Sequence, residues 1–168
     1  MRKVNWGIIG LGSIAKQFAD GFIGLNNAKI LGIASRDTSK IDAFKKDFNL
    51  EKKYCFNNYK SLLKEKKIDL VYIALPTFLH KEWIINCLIE SKNVLVEKPA
   101  TMNLKEMLEV KKYFKERCYF FEAFMYLYHP QIKKVVDLIN QGEIGDLVSM
   151  KSFFGINILT KKKLVWLY

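Results

Sequence analysis

Val4-Asn5-Trp6-Gly7-Ile8-Ile9-Gly10-Leu11-Gly12-Ser13-Ile14-Ala15 is the stretch that decides the fold. Val4 to Ile9 is a short, mostly apolar run that stops at glycines. Behind it Ile14, Phe18 and Phe22 recur at helical spacing, with Ala15 and Ala19 beside them. The pattern predicts a buried strand, a tight turn and an amphipathic helix. In that turn Gly10 permits the sharp reversal, and Gly12 removes a side chain where backbone must approach a bound group. Ala15 keeps the helix close to the sheet, while the N–H groups around Ser13 and Ile14 and the helix dipole attract phosphate. A G-x-G-x-x-A turn between strand and helix is the context in which this motif holds a dinucleotide pyrophosphate. A methyltransferase using S-adenosylmethionine also has an early glycine turn, so the turn alone leaves that alternative open.

Outward from the turn, apolar runs alternate with helical patterns. Lys29 to Ala34 is the next strand, and Ile41, Phe44 and Phe48 mark a second helix with Ser39 as its N-cap candidate. Cys55-Phe56 reads as a very short strand before a helix around Ser61–Glu65. Asp69 to Leu75 is the most continuous buried strand, closed by Pro76. Trp83, Ile84, Cys87 and Leu88 make an amphipathic helix, and Asn93–Val96 the strand after it. Asn103 with Glu106 is a capping-box-like helix start ahead of Leu104, Met107 and Leu108. Tyr119 to Met125 is the last strand of the series. Tyr72, Tyr113, Phe120 and Trp83 fall at core periodicities and are assigned no chemistry.

Such alternation predicts parallel pairing with both sheet faces covered, wound right-handed into an α/β, doubly wound Rossmann sheet over residues 1–126. Beyond it Ile132, Val135, Val136 and Ile139 line a helix that Gly142 and Gly145 end, and Leu147 to Leu159 is a strand-like run. One helix and one strand do not make a second core. Residues 127–168 are therefore expected to be the incomplete start of an α+β substrate or dimerisation domain in a truncated chain. The apolar run Met150–Leu159 would then lie open, an aggregation hazard.

Composition narrows the classes. With 50% apolar residues the chain is globular rather than disordered. No apolar run approaches the ~18–20 residues that a membrane helix requires. Glycines interrupt the apolar stretch behind Met1-Arg2-Lys3, which therefore reads as a strand and turn and not as a signal peptide. Cys55, Cys87 and Cys118 are odd in number and far apart, with neither a disulfide framework nor a CxxC metal pattern, as expected in the cytoplasm. The net charge of +11 comes from scattered lysine pairs such as Lys45-Lys46 and Lys111-Lys112, with Lys161-Lys162-Lys163 the one true run. A solvated basic surface accounts for them better than a nucleic-acid interface, and it attracts a phosphorylated cofactor.

The end of the second strand separates the two nicotinamide dinucleotides. An NAD enzyme places Asp or Glu there to hold the ribose 2′-hydroxyl. Here the chain reads Ala34-Ser35-Arg36-Asp37-Thr38-Ser39-Lys40. Ser35 and Arg36 offer donors for a 2′-phosphate and Lys40 adds charge, which points to NADP. Asp37 becomes a ribose ligand if the register slips by one or two residues, so NAD is the alternative.

Three further segments carry a resemblance. Ile73-Ala74-Leu75-Pro76-Thr77-Phe78-Leu79-His80 has a P-x-x-x-H element, Glu97-Lys98-Pro99 ends an apolar strand, and Glu122-Ala123-Phe124-Met125-Tyr126-Leu127-Tyr128-His129-Pro130 follows the last one. With the glycine turn, these resemble the Gfo/Idh/MocA oxidoreductases from about Val4 to Leu159, and within them the NADP-dependent dihydrodiol and D-xylose dehydrogenases. The resemblance implies that Lys98 stands beside the reactive nicotinamide carbon and assists proton movement. It implies that Glu97 contacts the nicotinamide ribose or orients Lys98, and that Leu75, Pro76, Thr77 and His80 lie along the cofactor. Strand carboxyl ends line the crevice of a doubly wound sheet, where a partly desolvated Lys98 ammonium can hydrogen-bond a substrate hydroxyl. His129 is read as structural.

Two departures stand out. Leu127 replaces the family's usual arginine, and the glycine-rich segment with the later His or Tyr that completes the proton relay is not in this sequence. The activity implied is hydride transfer between NADP and a hydroxyl-bearing carbon of a sugar or cyclic diol. The alternative is a non-catalytic fragment that only binds dinucleotide. The family implies a homo-oligomer, an expectation that the short second segment does not carry over.

Overall fold

The computed structural model describes residues 2–153 and Gly155. Six short runs become strands: β1 (Val4–Ile9), β2 (Ala28–Ala34), β3 (Cys55–Phe56), β4 (Leu70–Ile73), β5 (Asn93–Val96) and β6 (Phe120–Glu122). They form one sheet in the order β3-β2-β1-β4-β5-β6, every pairing parallel. Parallel neighbours require crossovers, and the helices supply them: α1 (Ser13–Asp20), α2 (Thr38–Asp47), α3 (Tyr59–Lys64), α4 (His80–Ile89) and α5 (Leu104–Lys111). The order reverses between β1 and β4, which opens a crevice at their carboxyl ends. The expected doubly wound Rossmann sheet is what forms.

Alternation along each strand divides the core between the two faces. On β4, Val71 and Ile73 join Leu62, Ile84, Leu88, Val94, Val96 and Val110 under α3, α4 and α5. Tyr72 points the other way, into Ile8, Ala15, Ala19, Ile33, Ile41 and Phe44 under α1 and α2. Strands buried on both faces have no room for charge, which is why the runs read as continuously apolar.

Several local expectations are corrected. α1 ends at Asp20, so Phe22 lies beyond the helix; its ring still packs edge-on against Phe18 and Trp6 at 5.3 and 5.5 Å. The N-cap of α2 is Asp37, not Ser39: its carboxylate reaches the free N–H groups of the first turn, accepting from Ser39 N at 3.0 Å and Lys40 N at 3.4 Å. The last strand stops at Glu122, because the Phe124 N–H turns back to the Glu122 carbonyl and a 3-10 segment, Met125–Tyr128, follows. Residues 147–153 of the Leu147–Leu159 run form no strand, since no other described segment offers them a ladder partner. Phe154 and residues 156–159 of that run lie outside the described residues.

Two units part between Phe124 and Met125. In the second, α6 (Pro130–Asn140) begins with Pro130 and is capped by His129, whose Nδ1 accepts from Gln131 N at 3.2 Å. That is the structural part expected of His129.

Candidate functional site

The glycine turn holds the geometry its sequence requires. Gly10 has φ +86°, and a Cβ there would sit 2.5 Å from the Ala74 carbonyl oxygen, so β1 and β4 leave the sheet in near contact. Leu75 closes over the same glycine, its Cδ2 2.8 Å from that Cβ position. Gly12 faces open space, with nothing within 4 Å of where a Cβ would be. It is also the N-cap of α1, and no side chain caps that helix. By contrast α2, α3, α5 and α6 are capped by Asp37, Asn58, Asn103 and His129, and α4, which also has no side-chain cap, carries Glu82 in its first turn. α1 is thus left with free N–H donors, an open approach and no acidic residue in its first turn, the donor set that a pyrophosphate fits. Ser13 is exposed there and Ile14 half-buried.

At the end of β2 the three expected 2′-phosphate ligands separate. Arg36 and Lys40 are exposed. Ser35 is buried, and its hydroxyl oxygen accepts from the Asp37 N–H at 3.1 Å, so the side chain is folded into the turn instead of facing outward. Asp37 is engaged as well. Bonds from the Ser39 hydroxyl (2.6 Å) and from the Lys40 and Ser39 N–H groups hold its carboxyl below the usual range. A carboxylate spent on capping α2 makes a poor ribose ligand.

The strand exits meet around Glu97-Lys98-Pro99-Ala100. Glu97 N donates to the Ile73 carbonyl at 3.0 Å, extending the β4–β5 ladder to the turn. From there each neighbour of Lys98 is held by a different element. The Tyr72 hydroxyl, on β4, donates to Glu97 Oε1 at 2.5 Å. His80, only 1% exposed at the start of α4, has Nδ1 at 2.8 Å from the Pro99 carbonyl and Nε2 at 2.7 Å from the Leu75 carbonyl. Ala100 N donates to Glu122 Oε1, from the end of β6, at 2.7 Å. Lys98 alone projects, exposed and with no ion pair among the described residues.

His80 has both ring nitrogens engaged by backbone, so it acts on the crevice through the two loops it joins and presents no free ring nitrogen. Leu75 and Thr77 are half-buried and Pro76 is exposed at the rim of the same crevice. His80, Glu97-Lys98-Pro99 and Glu122, read in separate segments of the sequence, converge on one turn. Tyr72 is the member that sequence reasoning missed. Its core periodicity describes the ring correctly and is silent about the hydroxyl.

Among the described residues no group of three His, Cys, Asp or Glu side chains is placed to hold a metal ion, and no helix is long and apolar enough to cross a membrane. The chain is 30% identical over 158 residues to trans-1,2-dihydrobenzene-1,2-diol dehydrogenase of Mus musculus, covering 92% of this chain and 47% of that one. It is 32% identical over 159 residues to dTDP-3,4-didehydro-2,6-dideoxy-alpha-D-glucose 3-reductase of Saccharopolyspora spinosa, covering 93% and 47%. Among solved structures it is similar to the 3-ketoreductase from Actinomadura kijaniata in complex with NADP, with a TM-score of 0.76, 33% identity and coverage of 86% and 46%. The chain therefore spans about half the length of the relatives it matches. Residues 4–122 match the oxidoreductase family with an NAD-binding Rossmann fold, which removes the methyltransferase alternative: the chain belongs to the Gfo/Idh/MocA oxidoreductases.

Proposed function

We propose that this chain binds NADP, with NAD as the weaker cofactor, and serves hydride transfer between its nicotinamide and a hydroxyl-bearing carbon of a sugar or cyclic diol. The observation that carries this reading is the pairing of an uncapped α1 terminus, open at Gly12, with a solvent-facing Lys98 on a turn braced from three sides. The first is a phosphate cradle; the second is an exposed ammonium on a braced turn at the strand carboxyl ends. The relatives act on a dihydrodiol and on a dTDP-linked sugar by name, and the solved relative carries NADP.

In this reading Gly10, Gly12, Ser13 and Ile14 hold the pyrophosphate, while Arg36 and Lys40 meet the 2′-phosphate. Leu75, Pro76 and Thr77 lie along the dinucleotide. When bound, the nicotinamide supplies the hydride chemistry. Glu97 orients the adjoining ribose, and Lys98 donates a hydrogen bond to the substrate oxygen and moves its proton. Residues 127–168 open the substrate or dimerisation domain. Calorimetric titration with NADP, NAD and adenosine 2′,5′-bisphosphate tests the reading. The expected order is NADP tighter than NAD, with the bisphosphate retaining much of the affinity. Absence of binding by all three overturns it.

A further inference from the structure

Tyr72 sits where a Phe would pack equally well, yet it carries a hydroxyl into the core. Its side chain is 1% exposed, and its ring stacks on Phe18 of α1 with centroids 3.9 Å apart and planes 30° apart. A buried hydroxyl without a partner costs about 1–3 kcal/mol, so its direction is rarely accidental. The hydroxyl is aimed at Glu97 Oε1, 2.5 Å away on the next strand. Tyr72 pairs with Leu95 in the β4–β5 register, and Glu97 lies two residues on, on the same side of the pleat. The face they share is the α1 face, onto which the glycine turn opens.

We propose that Tyr72 is a positioning residue. Stacked on α1 and bonded to Glu97 Oε1, it fixes the Glu97 carboxylate so that Oε2 is presented to the nicotinamide ribose. The proposal rests on the dinucleotide reading above and deepens it. Phe18 ties Tyr72 to the same helix whose N-terminus forms the phosphate cradle. One rigid chain, α1 to Phe18 to Tyr72 to Glu97, therefore sets the distance between the two ends of the cofactor site. The donor is constant as well. Burial, then the hydrogen bond to Glu97, then the Glu97 charge push the phenol well above its usual range, so it stays protonated throughout the working pH range. Among the described residues Glu97 Oε2 has no hydrogen bond, which leaves that oxygen for a ligand.

The test compares two probes on the full 168-residue chain. NADP spans the whole site, whereas adenosine 2′,5′-bisphosphate reaches α1 and Arg36 and lacks the nicotinamide riboside. Tyr72→Phe keeps the ring and its stack. It is expected to weaken NADP about three- to tenfold and to leave bisphosphate affinity unchanged, the size of one lost hydrogen bond. Glu97→Ala should produce the same split, and adding Tyr72→Phe to it should cost nothing further, because the tyrosine acts only through that carboxylate. Phe18→Leu, which removes the stack without touching Glu97, should give a smaller version of the split. A folded Tyr72→Phe protein that weakens both probes equally or neither, or whose loss adds to that of Glu97→Ala, overturns the proposal. If the unmodified chain binds neither probe, the dinucleotide reading fails first and this inference falls with it.

Discussion

Glu122, the last residue of β6, accepts the Ala100 N–H at 2.7 Å, so the sixth strand holds the turn that follows the fifth. Ala100 is buried and lies two residues past Lys98, which means that the edge of the sheet is part of what aims the lysine. Glu122→Ala leaves a buried N–H without a partner beside a vacated carboxylate. The expected loss is about 1.5–3 kcal/mol, the range for a hydrogen bond to a charged group. Glu122→Gln keeps an acceptor oxygen and should recover most of it. Urea denaturation of the three proteins measures both effects, and a Gln variant as unstable as the Ala variant contradicts the assignment.

In the proposed reading cofactor choice depends on the end of β2, where Ser35 is buried and Asp37 caps α2. Arg36 and Lys40 are what remains exposed for a 2′-phosphate. Arg36→Ala should weaken NADP at least tenfold, given about 1.5–3 kcal/mol for charge-assisted hydrogen bonds, and leave NAD nearly unchanged. Titrations with the two cofactors check this. Equal affinities in the unmodified chain, with no response to Arg36→Ala, contradict it.

The fold was legible in the sequence because its signals are local. The glycine turn, the apolar runs and the Asn103–Glu106 helix start each sit within a few residues, and the structure returns them as β1–α1, the parallel sheet and the capped α5. The braces around Lys98 were not legible in this way. Tyr72 meets Glu97 across 25 residues and Glu122 meets Ala100 across 22. Until the strand register is known, the tyrosine is indistinguishable from a core aromatic. Ser39 and Asp37 illustrate a finer limit: both are good caps, and the choice depends on where the helix φ/ψ begins, a matter of two residues. Ser35 shows the same limit from another side, since its type suits a phosphate donor while its burial and the Asp37 N–H bond to its oxygen appear only in the structure.

Lys92 precedes β5 and is buried, with Nζ donating to the Glu65 carbonyl at 2.7 Å and the Ile68 carbonyl at 2.8 Å. Burial lowers its pKa from the ordinary 10.5, partly opposed by the charges of Asp69, Glu65 and Glu90. Between the lowered folded value and the ordinary one, the unfolded chain binds more protons, so this lysine's contribution to stability rises with pH. Lys92→Met leaves the Ile68 carbonyl without a donor, while the Glu65 carbonyl keeps the Ile68 N–H at 3.2 Å, and should destabilise by roughly 1–3 kcal/mol near neutral pH. The gap between the two proteins should widen as pH climbs toward about 10. Denaturation curves at the two pH values decide it, and a gap that narrows with pH contradicts the burial argument.

Lys98 is exposed and unpaired among the described residues, while its neighbours Glu97, Pro99 and Ala100 are each tied to a separate element. A side chain that braces nothing can be removed without loosening the turn. Lys98→Met should therefore leave the denaturation midpoint and NADP affinity nearly unchanged. In a version that carries a complete substrate domain, with NADP and a sugar or diol as the substrate pair, turnover should fall by ~10²–10⁴-fold, the usual contribution of a general acid–base group. Because the loss is confined to the proton-transferring step, it should persist at saturating substrate instead of appearing as a raised KM. Parallel calorimetry and steady-state kinetics separate these outcomes. If Lys98→Met retained most of its turnover, or lost NADP affinity in step with turnover, the lysine would be a binding residue and not the proton carrier.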